Sequence, residues 1–222
     1  LKEKGIHVGA HIKSIFDTED RDFENKDRNP EVFESLRQEF LPFLNKEIRV
    51  PLENKIRAVK DEGDSVGGVV EISVIGMPAG VGDPFFNSVE SELASMMYSI
   101  PAVKGLEFGA GFAIAGMLGS EANDEMYFDE DENIKTYTNN NGGIIGGITN
   151  GEPVNFKVAI KPPASISKKQ KTVNIVTKEN TVLEVTGRHD PVIVPRAVVV
   201  LECATAIVML DCLLEAEKNK GL

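Results

Sequence analysis

The stretch NNNGGIIGGITNGEPVNFKVAIKPPAS, residues 139–165, decides the fold. Two pairs of glycines flank Ile144 and Ile145, and glycine lets a backbone take positive φ or approach another group closely because it has no Cβ. The run Val154–Ile160 is typical of a strand, and Lys161 follows it directly before two prolines. A residue before proline is held extended, so this lysine is predicted to project in a fixed direction from the end of the strand.

Two interpretations of this stretch stay open on the residues alone. A close-approach surface that ends in a held positive charge would suit a flat ligand that carries phosphate. A glycine-rich turn that leads into a strand with a solvated terminal lysine explains the same residues. Taken by itself, the stretch favours this simpler account.

The composition is typical of a globular chain. The sequence has 222 residues, of which 41% are hydrophobic and 27% charged, and a formal net charge of −11. This length allows one good-sized domain or two small ones, and either could build a core. We predict a single domain over residues 1–222, because no repeat, low-complexity tract or convincing linker interrupts the chain. The acidic excess disfavours a nucleic-acid partner, although a local basic pocket can lie within a negative shell.

The two cysteines predict a reducing compartment. Cys203 and Cys212 lie in one apolar segment, and on a helix they would be ~13 Å apart along the axis and on opposite sides, too far for a disulfide. Reduced core cysteines fit a cytoplasmic protein. No signal peptide is recognised at Leu1, and no apolar run of membrane-spanning length lacks charge, so no membrane partner is expected. The first residue is not Met, so a segment upstream is expected to be missing.

Apolar periodicity predicts a mixture of helices and strands. Strands are expected at Gly5–Ile15, Val66–Ile75, Val154–Ile160 and Gly105–Ala115, with a hairpin formed by Thr172–Val176 and Thr181–Thr186. Helices are expected from Pro30 to Leu44 with a kink near Pro42, from Pro51 to Gly63, from an Asn87 cap to Pro101, and from Arg196 to about Lys218. The last helix is apolar nearly all the way round, which is typical of a helix buried between two layers or at a subunit contact. The acidic segment Ser120–Asn133 is expected to be an exposed, mobile loop.

Two further patterns are too weak to mark a site. His7 and His11 are four residues apart, but they fall on a predicted strand, and no carboxylate or cysteine is placed in the sequence to complete a metal site. Structural or solvated histidines are the favoured interpretation. The glycines of the loop 76–84 lack both the GK[ST] ending and the strand–GxGxxG–helix arrangement of nucleotide-binding motifs. No metal site is predicted.

The pentapeptide Gly187-Arg188-His189-Asp190-Pro191 is a second candidate site. Pro191 holds Asp190 extended, and if strand geometry continues, Arg188 and Asp190 point to the same side. An arginine there can hold an anion and keep the neighbouring carboxylate ionised while that carboxylate accepts a proton. A purely structural Arg–Asp pair explains the residues equally well. By alternation His189 faces away.

Taken together, these features resemble the chorismate synthase family. No single motif would carry the resemblance, but six blocks occur in family order across most of the chain, which makes it specific. The blocks are Gly63–Glu71, Pro78–Pro84, Ser99–Gly109, Asn140–Ile148, Lys161–Ile166 and Gly187–Pro191.

The resemblance implies an α+β fold, a β-α-β sandwich with helices layered between antiparallel sheets, assembled as a homotetramer. It implies a lyase of the shikimate pathway that converts 5-enolpyruvylshikimate 3-phosphate to chorismate by 1,4-elimination of phosphate. The family requires reduced FMN without net redox change. Some members reduce FMN with NADPH, but no residue of this chain identifies such a site.

The resemblance also implies which residues form the site. The flavin is expected to contact Pro101, Ala102, Gly146, Arg188 and the loop Lys161, Pro162, Pro163, Ala164 and Ser165. Lys161 and Arg188 would complement phosphate and an anionic reduced ring. Asp190, with Arg188, is the expected catalytic pair, because it matches the carboxylate proposed to handle the flavin N5 proton.

The chain departs from the family in two places. Family chains begin well before the position of Leu1, and that earlier stretch carries two catalytic histidines, arginines for the substrate and an Arg-Ser-Ser flavin loop; His7 and His11 do not match it. The alternative function is therefore a catalytically incomplete fragment that serves assembly or flavin binding only, and a generic flavin oxidoreductase is a weaker third. Pro163-Ala164 replaces the small hydroxyl residues usual in the family, which is expected to weaken flavin contacts.

Overall fold

The structure is a computed structural model, and it describes residues 1–220. The strands are β1 (His7–Ile15), β2 (Thr18–Glu19), β3 (Gly68–Ile75), β4 (Val103–Phe108), β5 (Met126–Phe128), β6 (Ile134–Thr136), β7 (Ile144–Ile145), β8 (Ile148–Thr149), β9 (Val154–Ile160), β10 (Gln170–Asn174) and β11 (Glu179–Leu183). The helices are α1 (Pro30–Arg37), α2 (Arg49–Asp61), α3 (Val89–Ser99), α4 (Gly119–Ala122) and α5 (Val194–Lys220). The predicted α+β class is confirmed.

A five-stranded antiparallel sheet organises the fold, in the order β2-β1-β3-β9-β4. The central pair β3 and β9 is held in register with Val70 opposite Val158 and Ile72 opposite Phe156. Because side chains alternate along a strand, these residues all point to one face, where they are fully or almost fully buried. The strands predicted at the N-terminus, at Val66–Ile75 and at Val154–Ile160 are confirmed.

Helices α3 and α5 cover this apolar face of the sheet. Leu93 and Met97 of α3 and Leu201 and Met209 of α5 are completely buried in the same core. The other face of the sheet is polar. Phe33 of α1 packs over Gly9 of β1, and Glu71, Ser73 and Asn155 of β3 and β9 are buried on the same face. Any side chain at residue 9 would collide with that ring, since a Cβ there would lie 2.2 Å from it.

Helix α5 is less enclosed than its composition predicts. One side is buried in the core, but within the described residues a second side leaves apolar residues exposed: Val199, Val200, Ile207, Leu210 and Leu214. By length and composition alone, Val194–Asn219 could cross a membrane, and 44% of its most apolar window is buried. Core helices of globular proteins share this length and composition.

Two predicted elements are wrong in their extent, and a third is shifted along the chain. Helix α1 ends at Arg37 rather than continuing through Pro42, and Phe40 is exposed instead of sharing the helix face. The strand predicted at Gly105–Ala115 ends at Phe108 and is followed by a 3-10 helix, Gly111–Gly116. The hairpin β10–β11 is confirmed, two or three residues earlier than predicted at each end.

The acidic segment and one helix cap also differ from the prediction. Instead of an open loop, Ser120–Asn133 contains part of α4, strand β5 and the turn to β6, because β5 pairs with β6 through backbone hydrogen bonds. Helix α3 is capped by Ser88, not Asn87, and the Ser88 side chain accepts a hydrogen bond from Ser91 N. The single-domain organisation stays a prediction.

Candidate functional site

The lysine predicted to end the central strand lies beside the turn that begins β4. Ile160, the last residue of β9, is paired with Val103, the first residue of β4. Lys161 N donates a hydrogen bond to Ala102 O at 2.9 Å. The structure therefore brings the Pro101-Ala102 turn and the Lys161–Ser165 loop, which we call the lysine loop, to the same end of the sheet.

Ala102 has an unusual backbone at this position. Its φ of 75° is left-handed, a region that costs an L-residue with a Cβ roughly 1–2 kcal/mol. The turn links the end of α3, after Pro101, to the first residue of β4, and the surrounding hydrogen bonds hold it. Such strain is frequent where a chain presents backbone groups to a ligand.

A short segment before β3, Gly63–Gly67, ties two loops together, and we call it the clamp. On one side Ser65 Oγ donates to Pro163 O at 2.6 Å. On the other side Val66 N donates to Pro191 O at 2.8 Å, and Val66 forms an isolated parallel bridge with Val192. Adjacent clamp residues thus hold the lysine loop and the segment Arg188–Val192, which we call the arginine loop.

Glycine at residue 67 allows the clamp to lie close to the end of β9. A Cβ on Gly67 would stand 2.3 Å from Ile160 O and 3.0 Å from the ring of Pro162. Only a residue without a side chain permits this approach. The first residue of the clamp is also held, because Ser167 N donates to Gly63 O at 2.9 Å.

The cations around the lysine loop divide into paired and unpaired groups. Lys168 Nζ lies 2.8 Å from Asp64 Oδ2, and this hydrogen bond holds the pKa of Asp64 below its usual value and raises the pKa of Lys168. Lys161 Nζ instead donates to Pro162 O at 2.7 Å. No carboxylate of the described residues pairs with Lys161 or with the exposed Arg188. Both cations are therefore open to an anionic ligand.

The arginine loop is not a strand. Strand β11 ends at Leu183, so the alternation that would place Arg188 and Asp190 on one side does not apply. Asp190 pairs with Arg196, in the first turn of α5, rather than with Arg188. Arg196 was missed by the sequence analysis because pairing with Asp190 requires the chain to leave strand geometry. The catalytic roles of Arg188 and Asp190 stay predictions.

Gly146 lies far from the other predicted flavin contacts within this chain. It occupies the tip of the β7–β8 hairpin with φ 61°, and no atom lies within 4 Å of its Cβ position. The next residue, Gly147, accepts a hydrogen bond from Val89 N at the start of α3, whereas Ala102 follows the end of α3. An 11-residue helix is about 16 Å long. The structure does not bring Gly146 to the lysine loop.

Comparison with known proteins assigns the family. The family model described as chorismate synthase matches residues 1–214. This chain belongs to the chorismate synthase family. The chorismate synthase of Methanocaldococcus jannaschii is 50% identical over 197 residues, which are 85% of this chain and 52% of that protein. The chorismate synthase of a Synechocystis strain is 41% identical over 210 residues, 95% of this chain and 57% of that protein.

A solved structure supports the same assignment. A crystal structure of chorismate synthase superposes with a TM-score of 0.77 at 32% sequence identity, covering 97% of this chain and 59% of the solved one. The α+β fold implied by the chorismate synthase resemblance is therefore confirmed. The chain spans about half the length of the curated chorismate synthases that it matches.

The clamp is the part of the site that sequence reasoning missed. Gly63–Glu71 was recognised as one block of the chorismate synthase pattern, and that was the available signal. Its role could not be derived from the block itself, because Ser65 and Pro163 are 98 residues apart in the sequence. The structure shows that this block positions two others, the lysine loop and the arginine loop.

Proposed function

We propose that this chain provides the flavin-binding loops of a chorismate synthase. The reaction is the 1,4-elimination that converts 5-enolpyruvylshikimate 3-phosphate to chorismate, with loss of one ring hydrogen and the allylic phosphate. The observation that carries the proposal is the clamp. Its adjacent residues Ser65 and Val66 hold the lysine loop and the arginine loop, whose cations Lys161 and Arg188 pair with no carboxylate of the described residues. Family membership supports the choice of reaction.

The residues at this end of the sheet fit reduced FMN. Ala102, Pro162, Pro163 and Ala164 are small or flat, so they leave room for a ring, and Lys161 and Arg188 complement an anion. When bound, reduced FMN supplies electron density that stabilises the electron-poor transition state as phosphate leaves. Ser165 and the backbone of the lysine loop are proposed to contact the same cofactor.

The protein's own groups are proposed to position charge and protons. Lys161 and Arg188 offset the negative charge of the cofactor and of the departing phosphate. Asp190 is proposed to hold the proton associated with the flavin N5 atom. Arg196 pairs with Asp190, so it positions that carboxylate.

Assembly as a homotetramer and a cytoplasmic location are also proposed from family membership. A tetramer would provide a route by which Gly146 of one protomer approaches a flavin held by the loops of another, since the two regions are separated within one chain. NADPH as the reductant of FMN stays a prediction.

The test is an anaerobic titration of the chain with reduced FMN, with and without 5-enolpyruvylshikimate 3-phosphate, followed by an assay for chorismate. Turnover supports the full proposal. Flavin binding without turnover supports the loops' role and favours the alternative of a catalytically incomplete flavin-binding fragment. Failure to bind reduced FMN contradicts the proposal, and steady NADPH consumption with an added acceptor would favour a flavin oxidoreductase.

A further inference from the structure

Two cavities on the polar face of the sheet meet at Arg28. One has a volume of about 430 Å³ and extends to Lys157 and Tyr137. The other has a volume of about 490 Å³ and extends to Tyr127. Arg28 and Glu152 line both cavities, together with Asn25, Thr136 and Pro153. We call the combined space the Arg28 groove; it is large enough for a small organic ligand.

The Arg28 guanidinium has no carboxylate partner in the part of the chain that the structure describes. Nη1 donates to Asn25 Oδ1 at 2.9 Å, while Nε is buried and has no hydrogen-bond acceptor among the described residues. Burial lowers the pKa of Arg28, since it disfavours the charged form. Nη2 makes no hydrogen bond with the described residues and, unlike Nε, is not enclosed by protein atoms. It is therefore the guanidinium donor that remains for a ligand carboxylate.

One carboxylate oxygen of Glu152 has no hydrogen-bond donor among the described residues. Its Oε1 accepts a hydrogen bond from Thr136 N at 3.3 Å and lies 3.8 Å from Lys135 Nζ. Its Oε2 accepts no hydrogen bond from the described residues, and no salt bridge joins Glu152 to Arg28 although both line the same cavities. Opposite charges that share a cavity without contact leave space for a molecule that carries both charges.

The other charges of the groove exclude a multiply charged anion. Asp22 already pairs with Lys157 at 3.0 Å, and Glu71 with His11 at 2.7 Å. With Glu152 and Asp129, four carboxylates therefore face three cations, Arg28, Lys135 and Lys157. This excess of negative charge repels phosphate but tolerates a ligand of no net charge. At the rim, the rings of Tyr127 and Tyr137 are stacked with centroids 4.5 Å apart and offer an apolar surface to a side chain.

We propose that the Arg28 groove binds a small zwitterion of the α-amino acid class. The ligand carboxylate lies on Nη2 of Arg28, the ammonium lies on Glu152, and an apolar side chain packs against the tyrosine pair. The groove is at the start of β9, whereas the lysine loop follows its end, so binding does not depend on the proposed flavin function.

Calorimetric titration of the chain tests this proposal with matched probes. L-phenylalanine is compared with 3-phenylpropanoate, which lacks the ammonium, with 2-phenylethylamine, which lacks the carboxylate, and with inorganic phosphate. Phenylalanine is expected to bind at least about tenfold more tightly than each probe, because a charge-assisted hydrogen bond contributes that much. Titrations with glycine and L-leucine measure how much the ligand's side chain contributes to the affinity. No binding of any amino acid at millimolar concentration, or equal binding of the single-charge probes, overturns the proposal.

Conservative variants locate the binding. Arg28→Lys keeps the charge but removes the guanidinium donors, and Glu152→Gln keeps the shape but loses the charge. Each variant is expected to weaken phenylalanine binding about tenfold or more. The exposed residues of α2 provide matched controls, Arg57→Lys and Glu53→Gln, which are expected to leave the affinity unchanged. Undiminished affinity in both groove variants would place the ligand elsewhere and overturn the assignment.

A measurement on the unmodified chain does not depend on whether a variant folds. The arginine Nε–H signals are followed by ¹⁵N NMR during titration with phenylalanine. A carboxylate bound at Nη2 is expected to shift the Arg28 Nε–H signal, because both nitrogens belong to one guanidinium. An Arg28 signal that does not move at saturating phenylalanine contradicts the proposed contact.

Discussion

Ser65 Oγ donates a hydrogen bond to Pro163 O at 2.6 Å, across 98 residues of sequence. Proline residues offer no N–H, so the lysine loop can be fastened only through its carbonyls and the few remaining amides. Val66, the next residue of the clamp, also donates to a proline carbonyl: its backbone N–H binds Pro191 O and so holds the arginine loop. The two loops therefore share one support.

Replacing Ser65 with alanine is expected to loosen the lysine loop. The lost hydrogen bond should lower the free energy of unfolding by about 1 kcal/mol and weaken binding of reduced FMN roughly threefold to tenfold. Ser167→Ala is the matched control, because its hydroxyl makes no hydrogen bond with the described residues. Anaerobic fluorescence titration measures the flavin affinity, and urea unfolding measures the stability. Equal flavin affinity in the two variants would show that the clamp does not support the flavin site.

Lys161→Met is expected to impair flavin binding without affecting stability. Within residues 1–220 the Lys161 ammonium pairs with no carboxylate, so its loss breaks no ion pair there. The substitution does remove a charge-assisted contact with an anion, which contributes about tenfold or more in affinity. Lys169→Met, eight residues along the same segment, is the control. A reduced-FMN affinity that is the same in both variants would show that Lys161 does not contact the cofactor.

Asp124→Asn is expected to destabilise the turn that precedes the glycine-rich stretch. Burial would raise the pKa of Asp124, but hydrogen bonds from Asn141, Asn140 and Thr138, at 2.7 to 2.9 Å, hold it below the usual value. Losing these charge-assisted bonds should cost about 2 kcal/mol at pH 7. The exposed Asp131→Asn is expected to change the free energy of unfolding by less than about 0.5 kcal/mol.

The pH dependence of the Asp124 effect has a definite sign. Because the folded-state pKa is lowered, the stabilisation is complete above the unfolded-state pKa of about 3.9 and is lost as the pH falls through the folded-state value. Urea unfolding at pH 7, 5 and 3 should therefore show the difference between the native chain and Asp124→Asn shrinking only at the lowest pH. A constant difference across this range would contradict the hydrogen-bonded carboxylate.

The two cysteines are expected to react differently with alkylating reagents. Burial raises the pKa of the Cys212 thiol to about 11, so at pH 8 only about one molecule in a thousand carries its thiolate. Cys203 is exposed. Iodoacetamide should label Cys203 alone in the native chain and both cysteines in denaturant, as read by peptide mass spectrometry. Labelling of Cys212 at the same native rate would show that α5 does not bury that face.

Local pattern was sufficient for the strands that build the core. Alternation identified Val70, Ile72 and Val74 as the inward residues of β3, and these are fully buried. It was not sufficient where few aliphatic residues mark an element: β5 and β6 are held by backbone pairing, and their burial is slight. Phe40 shows the opposite error, since an apolar residue at helical spacing is left exposed once the chain leaves the helix at Arg37.

The candidate site was predicted residue by residue but not as an arrangement. Lys161 and Arg188 were identified from motifs, and the tie between their loops depends on contacts distant in sequence that no local pattern contains. The pairing of Asp190 was predicted incorrectly because alternation was extended beyond Leu183, where β11 ends. Arg196 reaches Asp190 only because the segment between them turns into α5.

Gly67→Ala is expected to separate the clamp from the lysine loop. The new Cβ would lie 2.3 Å from Ile160 O and 3.0 Å from Pro162, and since the first is backbone, the strand end must move. Overpacking of this kind costs about 1–3 kcal/mol. Gly116→Ala meets no atom within 4 Å and should change the free energy of unfolding by less than about 0.5 kcal/mol. Urea unfolding and reduced-FMN titration of both variants measure the effects. The shared support of the two loops predicts that Gly67→Ala loses both stability and flavin affinity. A Gly67→Ala protein with unchanged stability and affinity would show that the clamp tolerates a side chain and does not press against the end of β9.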